Sequence, residues 1–208
     1  MQQAHRLSAR LRWFRFACDR VGSGWTPGDK IMLRVSNRAR RAYTLCAVDP
    51  DRDEFEVVAI AHGAGPGGVW AGQLAVGDTT EFQAPKRDVD IRIEREGTVV
   101  LLGDETALGL FAGVGARAPE TAALIGAVEH PAHVGNAHRT LSLNLEAVGG
   151  DPAHPGGGLL AWLQRTPFVP RDAHYIVCGH RTVVRRIAGE LTERGVHSER
   201  VRARTYWS

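Results

Sequence analysis

The stretch Arg41-Ala42-Tyr43-Thr44 lies at the start of a strand-like run, RAYTLCAV, that spans residues 41–48. Side chains alternate between the two faces of a strand, so Arg41 and Tyr43 are predicted to leave on one face and Thr44 on the other. An arginine can hold a phosphate through two parallel hydrogen bonds, a tyrosine ring can lie on a flat heterocycle, and a hydroxyl can bond its edge. The pattern fits a strand edge that serves a flavin, although ordinary barrel strands also contain residues of these types.

The composition is typical of a globular protein, with 43% hydrophobic and 24% charged residues. The net charge of +3 comes mainly from arginine, since Lys30 and Lys86 are the only lysines, and the basic residues form no long stripe. Nucleic acid is therefore not expected as a partner. Three cysteines without metal-like spacing, Cys18, Cys46 and Cys178, argue against a disulfide framework and against a zinc site. With no apolar run of membrane-spanning length and no apolar signal core, we predict a cytoplasmic protein without membrane insertion.

The first half of the chain contains short alternating runs that are separated by turn residues. Apolar and polar residues alternate over 7–13, 31–35, 55–59 and 89–93, and Gly, Pro and Asp cluster between these runs. Many short strands at this spacing are typical of an antiparallel sandwich or small barrel. Residues 1–96 are therefore predicted to form an all-β domain.

After Gly97 the pattern changes to strands that alternate with helices. Predicted strands cover 98–102, 122–128, 141–145, 174–178 and 201–205, and predicted helices cover 105–117, 159–164 and 181–194. Strand–helix units of this kind favour a parallel sheet with helices on its faces. Residues 97–208 are predicted to form an α/β domain of the nucleotide-binding type.

A glycine-rich segment, residues 62–70 with the sequence HGAGPGGVW, follows the third of the alternating runs. A helix is predicted directly after it, over VWAGQLAV. Glycines allow backbone amides to approach a ligand closely, and a helix N-terminus adds positive partial charge, so the segment can cradle a pyrophosphate. A flexible loop is the alternative.

Two further candidates follow predicted strands of the second half. Gly103-Asp104-Glu105-Thr106-Ala107 forms a strand–turn–helix junction that can present amides to a dinucleotide, although Asp104 can also simply cap the helix. Cys178-Gly179-His180 follows the strand HYIV at the edge where open α/β sheets bind ligands. A buried structural cysteine is the competing interpretation of Cys178.

Taken in order, these segments and the terminal Tyr206-Trp207 resemble the siderophore-interacting proteins, which are flavin-dependent ferric siderophore reductases of the ferredoxin-reductase-like superfamily. The resemblance extends from about Leu7 to Trp207, and GDETAL with the terminal Tyr-Trp pair is its more specific part. It implies an antiparallel β-barrel FAD domain followed by a parallel-sheet α/β domain for NADH or NADPH. NAD(P)H would reduce FAD, which would pass single electrons to a ferric siderophore and release iron(II), without any acid–base catalytic residue.

The resemblance also implies roles for individual residues. Arg41 would contact the FAD phosphates, Tyr43 the isoalloxazine and Thr44 its reactive edge, while the segment from His62 would hold the ribityl-pyrophosphate portion. Asp104 to Ala107 would line the nicotinamide nucleotide pocket, and Tyr206 and Trp207 would shield the flavin at rest. The full set of expected cofactor-binding residues is Arg41, Ala42, Tyr43, Thr44, His62, Gly63, Gly67, Gly68, Val69, Trp70, Asp104, Glu105, Thr106, Ala107, Cys178, Gly179, Tyr206 and Trp207.

The chain departs from the family pattern at two places. Cys46 stands where family members usually carry a second arginine, and the common Gly-Pro-Ala-Ser turn is Gly-Pro-Gly-Gly at residues 65–68. Weaker FAD binding is expected, unless Arg38 and Arg40 compensate. The same two arginines, with Lys30 and Lys86, are candidates for attracting an anionic ferric siderophore.

Several alternatives stay open. Glu129 ends a predicted strand where an acidic residue can bond a ribose hydroxyl and repel a 2′-phosphate, whereas His130, His133 and Arg139 can attract one. Ferredoxin, flavodoxin or a quinone can replace the ferric siderophore as electron acceptor. A flavin-binding protein without reductase turnover is a further alternative.

Overall fold

The computed structural model describes residues 1–87, 97–130, 137–166 and 172–208. Two predictions fall outside these ranges: the strand at 89–93 and the role of His133. Residues up to 87, together with Gly109–Ala116, form one compact unit, and the other described residues form a second.

The first unit is a six-stranded antiparallel sheet with the order β1-β2-β5-β4-β3-β6 and one helix packed on β3, β4 and β5. Its core contains Phe14, Ile31, Leu33 and Phe55, which alternate with exposed or half-buried neighbours as the sequence pattern predicts. The elements are β1 (Gln3–Arg6), β2 (Leu11–Ala17), β3 (Lys30–Ser36), β4 (Ala39–Asp49), β5 (Glu54–Ile60), α1 (Gly65–Gln73) and β6 (Phe82–Lys86).

The two ends of this sheet are brought together by the N-terminus of the chain. The Met1 ammonium donates to the Asp78 carbonyl (2.6 Å), and the Gly77 N–H donates to the Met1 carbonyl (3.1 Å). Because Met1 precedes the edge strand β1 and Asp78 precedes the edge strand β6, these bonds link the two edges. This is the barrel-like arrangement that the spacing of short strands predicts.

The second unit contains a five-stranded parallel sheet with the order β11-β10-β7-β8-β9. The chain forms the central strand β7 first, then β8 and β9 on one side of it, and then β10 and β11 on the other side. The order in which strands are added therefore reverses between β7 and β10. The elements after Gly97 are β7 (Thr98–Asp104), a 3₁₀ turn (Glu105–Ala107), α2 (Leu108–Arg117), β8 (Ala123–His130), α3 (Ala137–Thr140), β9 (Glu146–Gly149), α4 (Gly157–Arg165), β10 (His174–His180), α5 (Arg181–Glu193), a 3₁₀ turn (Ser198–Arg200) and β11 (Val201–Trp207). Of these elements, α2 belongs to the first unit over Gly109–Ala116.

Two predicted strands are wrong in their placement. Only residues 11–13 of the run 7–13 lie in a strand, since β2 begins at Leu11. Residues 7–10 form the hairpin turn between β1 and β2, because the Ser8 hydroxyl accepts the Leu11 N–H (3.1 Å) and reverses the chain. Residues 141–145 are also not a strand, because Ser142 has a positive φ of 57° and the Leu143 N–H returns to the His138 carbonyl.

The helix after the glycine-rich segment begins earlier than predicted, at Gly65 rather than near Val69. Pro66 occupies the first turn, where its missing N–H costs nothing. At the other end the Arg12 guanidinium donates to the carbonyls of Ala71 (2.7 Å) and Gly72 (3.1 Å). A cation at this end satisfies free carbonyls and complements the helix dipole.

Candidate functional site

Strand β4 presents Arg41 and Tyr43 on one face and Thr44 on the other, as predicted. A Cβ built on Gly67 of α1 would lie 3.2 Å from Arg41 Cγ and 3.3 Å from the Tyr43 hydroxyl oxygen, so both side chains face this turn of the helix. Thr44 Cβ would instead lie 3.8 Å from a Cβ on Gly109 of α2. The alternation therefore brings Arg41 and Tyr43 to the glycine-rich turn.

The turn at Gly67 carries no side chain, and even a Cβ there would crowd Arg41 and Tyr43. Arg41 is exposed and Tyr43 half-buried, and burial raises the pKa of the Tyr43 phenol, which keeps it neutral. The first backbone N–H groups of α1 need partners from outside the helix, and no side chain caps them. A guanidinium beside free helix N–H groups suits a pyrophosphate, and a neutral aromatic ring suits a flat heterocycle, so these residues fit an FAD molecule.

His62 lies over the same turn. Its Nδ1 accepts the Ala64 N–H (3.1 Å), and a Cβ on Gly68 would lie 2.8 Å from its Cε1 and 3.0 Å from its Nε2. Real Cβ atoms essentially never approach so closely, so the imidazole ring takes the space of a side chain at position 68. Gly63, between His62 and the helix, has a φ of +72°, which glycine adopts without strain.

Trp70 contributes to the core of the first unit. Its ring lies 5.8 Å from Phe14, 6.4 Å from Phe16 in a nearly parallel arrangement, and 5.4 Å from Tyr43. Trp70 thus packs α1 against the sheet and contacts the Tyr43 ring. Val69, on the other side of the helix, is 39% exposed.

Cys46 points inward, because β4 has a bulge there. The register between β4 and β5 shifts between Leu45 and Ala47, and both Leu45 and Cys46 are buried. Burial also raises the pKa of the Cys46 thiol. An arginine side chain at this position of the present backbone would enter the core.

One row across the sheet joins Thr44 to both lysines of the chain. Lys30 of β3 is the register partner of Thr44 on β4 and of Lys86 on β6. Residues directly opposite on neighbouring antiparallel strands share a face, and like charges there repel. The row is therefore a local concentration of positive charge beside Thr44. Arg40, also on β4, pairs with Glu81 at 3.7 Å.

In the second unit, the carboxylate of Asp104 joins the ends of three parallel strands. It lies at the end of β7 and accepts the His180 N–H at the end of β10 (2.6 Å) and the Trp207 indole N–H at the end of β11 (3.2 Å). Its other oxygen accepts the Thr106 N–H (2.9 Å) and the Thr106 hydroxyl. Burial raises the pKa of this carboxyl. The Asp104 side chain therefore caps the 3₁₀ turn and also joins the carboxyl ends of β7, β10 and β11.

Gly179 is glycine because the Asp104 carboxylate occupies the place of its side chain. A Cβ there would lie 2.5 Å from Asp104 Cγ, and the φ of Gly179 is +132°. Cys178, the neighbouring residue, is fully buried within β10 and pairs in register with Gly103. The order of strands reverses between β7 and β10, and ligands of open α/β sheets bind outside such a point. Trp207, half exposed, lies against the His180 ring (4.5 Å) at this edge.

Glu129, at the carboxyl end of β8, contacts the start of α4. Its two oxygens accept the N–H groups of Gly156 (2.6 Å) and Gly158 (2.7 Å) at the start of α4. The side chain is 5% exposed. Glu129 therefore caps α4, whose N-cap residue Gly156 lies 27 residues later in the chain. The next residue, His130, lies 6.4 Å from the ring of His138, whose pKa is lowered by burial.

Two negative findings apply to the described residues alone. Within them, no group of three or more His, Cys, Asp or Glu side chains is arranged to hold a metal ion. No helix among them is long and apolar enough to cross a membrane.

Comparison with family models decides the assignment. The model described as siderophore-interacting FAD-binding domain matches residues 21–89, and the model described as siderophore-interacting protein matches residues 97–208, more than half of the chain. The chain belongs to the siderophore-interacting protein family. This is a family of FAD-binding reductases, so the prediction made from the sequence is confirmed.

Solved structures agree with this siderophore-interacting protein in fold. The siderophore-interacting protein from Acinetobacter baumannii matches with a TM-score of 0.82 at 15% identity, over 99% of this chain and 87% of that one. SipS from Aeromonas hydrophila gives 0.78 at 18%, over 99% and 95%. The flavohem-like FAD/NAD binding domain of nitric oxide dioxygenase from Vibrio cholerae gives 0.76 at 16%, over 100% and 97%. These identities are low, so the likeness establishes the ferredoxin-reductase-like fold alone. No curated protein matches the chain.

Proposed function

We propose that this siderophore-interacting protein passes electrons from NAD(P)H through FAD to an anionic ferric siderophore, from which iron(II) is released. The observation that carries the proposal is the cradle of Arg41 and Tyr43 against the glycine turn of α1. It lies within the segment that the FAD-binding model matches. Residues 1–96 form the FAD domain in this proposal and residues 97–208 the nucleotide domain.

In the FAD site, each residue has a task set by its chemistry. Arg41 and the first N–H groups of α1 bind the pyrophosphate, Tyr43 supports the isoalloxazine, and Thr44 bonds its edge. When bound, FAD would supply the redox chemistry, since a flavin can take two electrons from a nicotinamide and release them one at a time to ferric iron. No side chain has to transfer a proton, so no acid–base residue is assigned.

In the second unit, the nicotinamide nucleotide binds at the carboxyl ends of β7 and β10, beside Asp104 to Ala107 and Gly179. Asp104 orients this edge rather than contacting phosphate, because its oxygens already accept four donors and a phosphate would repel it. NADH and NADPH both remain candidates. The supply of these nucleotides agrees with a cytoplasmic reaction.

The ferric siderophore binds near the lysine row, whose two positive charges lie beside Thr44. Reduction weakens the hold of hard oxygen donors on the metal, since iron(II) has the lower charge. The row predicts a preference for anionic chelates, and that preference separates this function from transfer to a quinone.

The test is steady-state reduction of an anionic ferric siderophore, followed with an iron(II) trap, by wild type, Lys30→Gln and Lys86→Gln. Each lost charge near the chelate is expected to raise KM about fivefold, which corresponds to about 1 kcal/mol. The effect should shrink in high salt, and reduction of an uncharged quinone should not change. Arg185→Gln, on the exposed face of α5, is the matched charge control. Unchanged KM in both lysine variants would remove the lysine row from the proposal.

A second candidate is a flavin-binding protein that does not turn over. It is favoured only if bound FAD stays oxidised with either nucleotide under anaerobic conditions. In that case the edge at Asp104 has no nucleotide function.

A further inference from the structure

A cavity of about 330 Å³ lies at the amino edge of the parallel sheet in the second unit. Among its lining residues, Thr98 begins β7, Ala123 begins β8, and Arg200 immediately precedes β11. Asp104 is at the other end of β7, and at the usual rise of a strand the two ends are about 20 Å apart. The cavity has the volume of a small-molecule site, and none of its residues belongs to either proposed cofactor site.

Small residues leave the space of this cavity open. Gly97 has no side chain, and the side chains of Ala123 and Ala173 end at Cβ. Ala123 is exposed, whereas Ala173 is buried and belongs to the core of the second unit. The cavity therefore extends from the surface towards the buried start of β10, and a larger side chain at position 123 would fill its mouth.

The guanidinium of Arg200 is held in place at one nitrogen. Its Nη1 donates to the backbone carbonyl of Asp172 (2.5 Å) and lies 3.4 Å from Nε2 of His174. A guanidinium has five N–H donors, so one remains on Nε and two on Nη2. Within the part of the chain that the structure describes, these two nitrogens make no hydrogen bond or ion pair. Neighbouring N–H groups of this kind match the two oxygens of a carboxylate.

The other polar residues of the cavity add one negative charge and two hydroxyl groups. Asp172 is exposed, and its carboxylate forms no ion pair with any described residue. Thr98 and Thr121 carry hydroxyls, which can donate or accept a hydrogen bond. A second negative charge on a ligand would be repelled by Asp172, whereas an ammonium or hydroxyl group would be attracted. The cavity thus suits a molecule with a single carboxylate and a hydrogen-bond donor.

We propose that this cavity binds a small monocarboxylate that also carries a hydroxyl or ammonium group. Its carboxylate pairs with Arg200, and its donor lies towards Asp172 and the two threonines. The inference does not rest on the proposed electron transfer, because neither FAD nor the nicotinamide nucleotide takes part. It gives the second unit a ligand site at the edge of the sheet opposite Asp104.

Three matched three-carbon acids test the proposal by titration of the full chain, followed through backbone amide shifts in nuclear magnetic resonance spectra. Propionate has only the carboxylate, lactate adds a hydroxyl, and alanine adds an ammonium group. At least one of lactate and alanine is expected to bind with a dissociation constant of about 5 mM, about fivefold tighter than propionate. The shifts should be concentrated at residues 97–98, 121–123, 172–174 and 200. The tighter of the two ligands identifies the donor group.

Two variants alter the cavity in different ways. Arg200→Gln should raise the dissociation constant about tenfold or more, because the charged pair with the carboxylate is lost. Ala123→Leu should prevent binding by filling the cavity without any change of charge, and since Ala123 is exposed the substitution should not affect folding. Arg185→Gln removes an equal charge from the exposed face of α5 and is the control, with an unchanged constant expected.

Each outcome supports or overturns the inference. Wild type without saturable shifts at these residues up to about 50 mM ligand, tenfold above the expected constant, overturns it. Equal affinity for all three acids, or shifts that survive in Ala123→Leu, also overturn it, because binding would then be non-specific. Thermal unfolding shows whether Arg200→Gln is folded, and Ala123→Leu keeps the test valid if it is not. The proposed reductase function stands after either result, since it is measured by iron(II) formation without these acids.

Discussion

Replacing Glu129 with glutamine tests the role that the structure gives to this buried carboxylate. Its oxygens accept the N–H groups of Gly156 and Gly158 at 2.6 and 2.7 Å, and Gly156 has a φ of +87° that glycine tolerates. Glutamine keeps the size of the side chain but turns one acceptor into a donor. One of the two N–H groups would then face an NH₂ group in a buried site.

The magnitude follows from the two bonds. A hydrogen bond to a charged partner is worth about 1.5–3 kcal/mol, and a neutral one about 1 kcal/mol. Glu129→Gln loses one charged bond, weakens the other and leaves a buried N–H unsatisfied. We expect the free energy of unfolding of the second unit to fall by about 2–4 kcal/mol.

Two measurements follow the change. Urea unfolding gives the loss of stability, and amide hydrogen exchange should rise first in residues 156–165 of α4. Glu193→Gln, on the exposed end of α5, is the matched control and should cost less than about 0.5 kcal/mol. The ratio of activities with NADH and NADPH should not change in Glu129→Gln. A preference shifted about tenfold or more, with unchanged exchange in α4, would refute the capping role and restore the ribose contact.

Four further substitutions test the stability of local contacts. Gly113→Ala in α2 should destabilise the first unit by more than about 2 kcal/mol in urea unfolding, because its Cβ would meet a backbone nitrogen at 2.5 Å. By contrast, Gly72→Ala meets nothing within 4 Å and should stabilise α1 by about 0.5–1 kcal/mol; equal effects of the two substitutions would contradict this packing. Arg12→Leu should loosen the end of α1, seen as faster amide exchange there, and an unchanged rate would show that the guanidinium bonds are dispensable. For Asp104, the raised pKa means that the folded state binds its proton more tightly than the unfolded state. The stabilisation from this tighter proton binding is complete below about pH 4 and is lost as the pH rises through the folded pKa. Over that range, the free energy of unfolding of wild type should fall relative to that of Asp104→Asn. A rise would contradict the prediction.

Local patterns in the sequence predicted the parts of the fold that local chemistry determines. The alternation of side chains gave the strands β3, β4 and β5 and the separate faces of Tyr43 and Thr44. The change to strand–helix units gave the parallel sheet, and the junction predicted at Asp104 lies at the carboxyl end of β7. The strand predicted at 141–145 was wrong because it relied on apolar content alone. Leu143 and Leu145 are buried but lie outside any strand, whereas the actual edge strand β9 buries only Val148.

Contacts between distant residues explain what the sequence did not reveal. The capping of α4 by Glu129 joins positions 27 and 29 residues apart, and no local pattern indicates it. The pairing of Lys30 with Lys86 depends on β6, a strand that the sequence pattern did not predict. The His62 ring occupies the space that a side chain at position 68 would need, and this can be seen only from the three-dimensional structure.

The central claim is that this siderophore-interacting protein relays electrons from NAD(P)H through FAD to ferric iron. The most direct test is the visible absorption spectrum of the FAD-loaded protein under anaerobic conditions, before and after NADH or NADPH, and again after an anionic ferric siderophore. The account predicts flavin bands that bleach with at least one nucleotide and return as iron(II) is formed. A protein that shows no flavin bands after FAD is added, or whose bleached flavin is not reoxidised by the chelate, would contradict it.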